Sequence, residues 1–118
     1  MFKKVKAFSL NRVRDHVTFR EGNDSISLYV DSDANTIVRR MQQAQEELQK
    51  INGESTQADR RRVAVQLSQA MFGEEQTDRL FEFYHDDENC VVTICGIYFA
   101  DPKNGLGKKI TAAQKKLK

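Results

Sequence analysis

Apolar and polar positions along this chain change period at about residue 31. Val17 and Phe19 alternate with Thr18 and Arg20, and Ile26, Leu28 and Val30 alternate with Ser27 and Tyr29. Between them lies Glu21-Gly22-Asn23-Asp24, so two period-two runs flank a turn cluster, the signature of a β-hairpin. Residues 2–30 therefore read as β, with Val5 to Leu10 as a candidate third strand. A lone hairpin is marginal in water and must pack on other elements.

Beyond it the period becomes helical. Asp31-Ser32-Asp33 offers side-chain oxygens to a first helical turn. Ile37, Met41, Ala44, Leu48 and Ile51 then share one face, and Asn52-Gly53 is the expected stop. Ser55 or Thr56 can cap a second helix, with Asp59 as capping-box partner of Thr56. Its apolar set is Val63, Leu67, Ala70 and Met71, with Arg60, Arg61 and Gln66 outward. Gly73 ends it. Glu74 and Glu75 open a helix carrying Leu80, Phe81 and Tyr84, and the acidic run 86–89 opens another. In this last segment the signals conflict. Its β-branched and aromatic residues favour a strand, whereas the spacing of Val91, Ile94, Cys95, Tyr98 and Phe99 favours a helix, and periodicity is the stronger signal. Asp101-Pro102 breaks it, and Gly105 and Gly107 loosen the chain beyond the break.

The expected fold is α+β, mostly α: an N-terminal hairpin, two or three strands, packed on about four helices. At 118 residues this is one domain. It is expected over 1–107, with a β segment at 2–30 and a helical part at 33–100, followed by a basic tail at 108–118 that is flexible or weakly helical. The net charge is only +2. The basic excess sits in that tail, in Lys108, Lys109, Lys115, Lys116 and Lys118, and the remainder is slightly acidic. This is not the charge of a domain built around nucleic acid. The sequence holds no apolar run long enough to span a bilayer and no signal-peptide pattern, so a cytoplasmic location without membrane contact is expected.

Candidate chemistry is sparse. Cys90 and Cys95 with His85 form the one His/Cys grouping. Five residues apart, the cysteines point roughly 140° apart on a helix and to opposite faces on a strand, unlike zinc-ligand pairs. The favoured reading is a buried Cys95, a more exposed Cys90 and a surface His85, without a disulfide. Asp86, Asp87 and Glu88 lack a calcium-loop ladder and read as a helix start. Gly105 to Lys109 lacks full phosphate-loop spacing. No nucleophile is placed beside a base. Neither catalytic residue, metal nor cofactor is expected, and the chain reads as non-enzymatic. Arg39-Arg40 and Arg60-Arg61-Arg62 read as solvated, ion-paired faces. The surplus is aromatic: Phe72, Phe81, Phe83, Tyr84, Tyr98 and Phe99 fall within 28 residues. Some of them face a partner, or the helical hairpin covers them; the pattern leaves both open.

Residues 26–99 resemble the small tail assembly chaperones of long-tailed bacteriophages and prophages. The resemblance rests on a β segment, ISLYVDSDAN, running into the long helix TIVRRMQQAQEELQKIN. A second helix closes in FGEEQTDRLFEFYHDD, and a last helix is followed by a lysine-rich end. The basic N-terminus and the β-branched, Cys-containing last helix depart from that pattern. The resemblance implies a chaperone that binds the tape measure protein, helps recruit tail tube subunits and self-associates in the bacterial host cytoplasm. It also implies a longer form made by frameshifting near the lysine-rich end. The rival readings are another virion component, such as a tail tube or connector subunit, and a small nucleic-acid-binding regulator acting through Arg60 to Arg62 and the tail.

Overall fold

The computed structural model describes residues 12–117, with side chains through Ala112. Two strands, β1 (Arg12–Glu21) and β2 (Asp24–Asp33), form an antiparallel hairpin around Gly22-Asn23. The register places Phe19 opposite Ile26 and Val17 opposite Leu28. Alternation therefore sends Val13, Ile26, Leu28 and Val30 into the core. Arg12, Arg14, His16, Thr18 and Arg20 line the other face, where His16 stacks on Tyr29 with ring centroids 4.8 Å apart. The candidate third strand, Val5 to Leu10, lies outside the described residues.

Four helices follow: α1 (Ala34–Gln49), α2 (Gln57–Phe83), α3 (Glu88–Ala100) and α4 (Gly105–Leu117). The architecture is the expected α+β, mostly helical one. The Asp33 carboxylate caps α1 by accepting from Thr36 N–H at 3.1 Å. Ile37, Met41 and Ala44 are buried as the spacing requires, Ile51 is half-buried, and Leu48 stays 36% exposed at the frayed end of the stripe. The stop comes earlier than Asn52-Gly53. Lys50 N–H turns back to the Glu47 carbonyl at 3.2 Å, and a last turn tightened in this way ends the helix without glycine. Asn52 instead organises the next turn, its side chain accepting from Glu54 N–H at 2.8 Å.

The Thr56–Asp59 capping box forms in both directions. From it, α2 runs through the centre of the molecule, against α1, α3 and β2. Gly73 breaks it with φ 81° and ψ 173°, a region essentially reserved for glycine. The two helical runs read from the sequence are thus one element with a kink. At the far end His85 and Asp86 both take positive φ, and Asp86 N–H reaches the Phe81 carbonyl at 2.8 Å. The acidic run is accordingly divided. Asp86 completes the end of α2, while Asp87 caps α3 by accepting from Asn89 and Cys90 N–H groups. Residues 89–99, where propensity and periodicity disagree, are helical.

After Pro102 the chain turns into a further helix. Of the two states open for the tail from Lys108, flexible or weakly helical, the chain takes the helical one through Leu117. Three things fix its start. Leu106 is fully buried. Asn104 accepts from Gly107 N–H at 2.6 Å. The Asp15 carboxylate, from β1, accepts from the N–H groups of Gly105 at 3.0 Å and Leu106 at 3.2 Å. Gly105 and Gly107 are there for close approach: a Cβ on the first would strike the Asp15 carboxylate, and on the second the Asp101 carbonyl. Of the described helices, none is long and apolar enough to cross a membrane.

Candidate partner-binding surface

The aromatic surplus goes mostly inward. Phe72, Phe81, Tyr84 and Tyr98 are buried, and Phe83 and Phe99 are half-buried. Phe72 sits between Phe19 and Tyr98, with centroids 6.4 and 5.7 Å away, and so joins the hairpin to α3. Four of the six candidate partner-binding aromatics are thus core residues, the second of the two readings open in the sequence. Packing is the physical reason: the kink at Gly73 and the turn at His85–Asp86 fold both halves of the aromatic segment over one another.

The exposed apolar surface comes instead from α3. Of its 13 residues, Glu88 alone carries a charge. Val91, Cys95 and Tyr98 face the core. Asn89, Thr93, Gly96, Ile97 and Ala100 face outward, with Ile97 60% exposed. Helices in globular proteins normally turn a charged face to water, and one that is apolar all round is normally covered. Here the outward side is uncovered among the described residues.

Beside this face lies a groove of about 290 Å³, formed with the tip of the hairpin and lined by Glu21, Tyr84, Asn89, Cys90, Thr93 and Ile94. Tyr84 forms part of its wall. The Tyr84 hydroxyl is buried with no hydrogen-bond partner, a costly state for a polar group. Burial raises the pKa of this phenol above its ordinary value, and the nearby Glu21 carboxylate adds to the effect. The Cys90 thiol is likewise raised, first by burial and then by Asp87. The sequence pattern singles out Tyr84 but not Glu21, Ile94 or Ile97 as surface groups. The readable signal was the missing charge along residues 89–100, more than the aromatic count.

Two adjoining hollows flank the kink. They share Arg40, Gln69, Ala70 and Gly73 and are walled further by Gln43, Gln66 and Gln76. Gln76 closes the outer edge of β2 here: its amide accepts from Tyr29 N–H and donates to the Tyr29 carbonyl, both at 2.7 Å. Arg79 reaches the Ser27 carbonyl at 3.2 Å. Side chains thereby occupy backbone groups that an adding strand would need.

The cysteines are free. Cys95 is fully buried with its thiol pushed up to about 12 by burial, Cys90 is half-buried and His85 exposed. Among the described residues no cluster of His, Cys, Asp or Glu is placed to hold a metal. The basic triplet is engaged locally. Arg61 pairs with Asp86 at 3.3 Å and lies over the Phe81 ring, Arg62 pairs with Glu47 at 3.1 Å, and Arg60 reaches the Asn52 carbonyl. Lys108 is exposed and Lys109 half-buried on α4; Lys115 and Lys116 continue that helix, and Lys118 lies outside the described residues. Comparison of the chain with known protein families, curated proteins and solved structures found no match.

Proposed function

We propose that this chain is a non-enzymatic tail assembly chaperone of a phage or prophage, which binds the tape measure protein and keeps its apolar helices soluble during tail morphogenesis. The observation that carries the reading is α3, a surface helix whose outward side has no charge and presents Ile97 beside an apolar groove. Such a surface suits a protein that holds another protein's helices. The order of elements supports it further: hairpin, long helix, glycine-broken helix, acidic turn, last helix and lysine-rich end follow the pattern on which the family resemblance rests. The nucleic-acid reading is weakened by the local pairing of Arg60, Arg61 and Arg62. Co-expression with a long helical tape measure protein tests the proposal. A complex that co-elutes and raises the soluble yield of the long protein is expected. Absence of both complex and gain in yield would refute it.

A further inference from the structure

We infer that the groove between α3 and the hairpin tip receives a basic amphipathic helix of the partner, with apolar anchors on Ile94 and Ile97 and a lysine or arginine reaching Glu21. This rests on the partner-binding reading above and specifies where and how the partner docks.

Three observations select that occupant. The first is charge. Among the described residues no lysine or arginine lines the groove, and Glu21 stands in its wall as the one charged group lining it. A lysine could lay its aliphatic stem along Cys90 and Ile94 and keep its ammonium at Glu21. The second is backbone. The α3 wall offers side chains, since helical N–H and C=O groups are already paired within the helix. An inserted segment must satisfy its own backbone, which a helix does and an extended strand does not. The strand-accepting edge of β2 is elsewhere and is closed by Gln76 and Arg79. The third is size, set by the short side chains on the outward face of α3. Along α3, Thr93, Gly96 and Ala100 beside Ile97 are small enough for a second helix to come close. A second copy of this chain is a poorer occupant, because α3 starts at Glu88 and is followed directly by Asp101, so acids flank it at both ends. Pairing two such helices opposes like charges in either direction.

The test uses the full chain and two fluorescein-labelled synthetic helical peptides of about 20 residues with leucine anchors at helical spacing. One carries lysines on its flanks and the other glutamates at the same positions, and binding is followed by fluorescence anisotropy. The lysine peptide is expected to bind about tenfold more tightly than the glutamate peptide. Ile97→Glu should weaken the lysine peptide about tenfold, and Glu21→Lys should reverse the preference between the peptides. Both positions are exposed, and circular dichroism checks that each variant keeps its helices. Equal affinity for both peptides, no binding, or affinities unchanged in both variants would overturn the inference. So would a dimer of the chain that Ile97→Glu dissociates while neither peptide binds. The two proposals fail separately. A co-expressed complex that survives both substitutions removes the groove and leaves the chaperone reading standing. Peptide binding as described without a tape measure complex does the reverse.

Discussion

Among the described residues, Asp15 has the widest reach along the chain. Its carboxylate accepts from the Tyr98 hydroxyl and from the first two N–H groups of α4, so one side chain of β1 ties together two helices 83 to 91 residues away in sequence. Asp15→Ala leaves the buried Tyr98 hydroxyl and the helix start without their acceptor. It should cost about 3 kcal/mol, against about 1 kcal/mol for Tyr98→Phe, both read from urea unfolding. Cys95 has a different signature. Its thiol ionises at about 12 in the folded chain and from 9.0 when unfolded, so between those values the folded chain keeps a proton that the unfolded chain has lost. Its contribution to stability is therefore complete below pH 9 and falls as pH rises towards 12. Tyr98, raised by burial and by Asp15, acts in the same direction above its ordinary range. Unfolding free energies measured at rising alkaline pH should decline, and less steeply in Cys95→Ala. A thiol reagent at neutral pH should label half-buried Cys90 before fully buried Cys95.

Among the elements, α2 decides how the others meet. Its kink depends on Gly73, whose φ of 81° no other residue adopts without strain, although there is open space for a Cβ. The kink is then braced from within. Thr77 donates its hydroxyl proton to the Gly73 carbonyl, which leaves Ser68 as the donor in the buried 2.7 Å contact between the two hydroxyls. Gln76 donates to the Phe72 carbonyl from the same turn. Gly73→Ala should lower stability by about 1–3 kcal/mol in thermal or urea unfolding, by backbone strain alone. Gln76→Ala has another outcome. It frees the Tyr29 N–H and carbonyl on the β2 edge, and sedimentation should show more self-association than for the parent chain.

For the whole molecule, the hairpin and α4 close the structure on itself. Leu106 enters the core while Asp15 holds the helix start, so β1 and α4 belong to the same packed unit as the long helices. Deleting residues 104–118 should lower the unfolding midpoint and broaden the transition, because it exposes the Leu106 socket and removes the helix N–H donors from Asp15. The sequence alone determined much of this. Period-two alternation around Gly22-Asn23 located the hairpin. The spacing of Ile37, Met41 and Ala44 located α1. Thr56–Asp59 marked the start of α2, Gly73 its break, and periodicity made residues 89–99 a helix. These features are local, and a few neighbouring residues are enough to express them. What only the tertiary structure decided depends on residues far apart in the chain. The start of the last helix was set by Asp15 and by the fit of Gly105 and Gly107 against their neighbours. The burial of Phe72, Phe81, Tyr84 and Tyr98 was set by how the kinked helix folds over the hairpin. The exposed apolar surface fell to α3 for the same reason: composition shows that a helix lacks a charged face, but only packing shows which side is left outward.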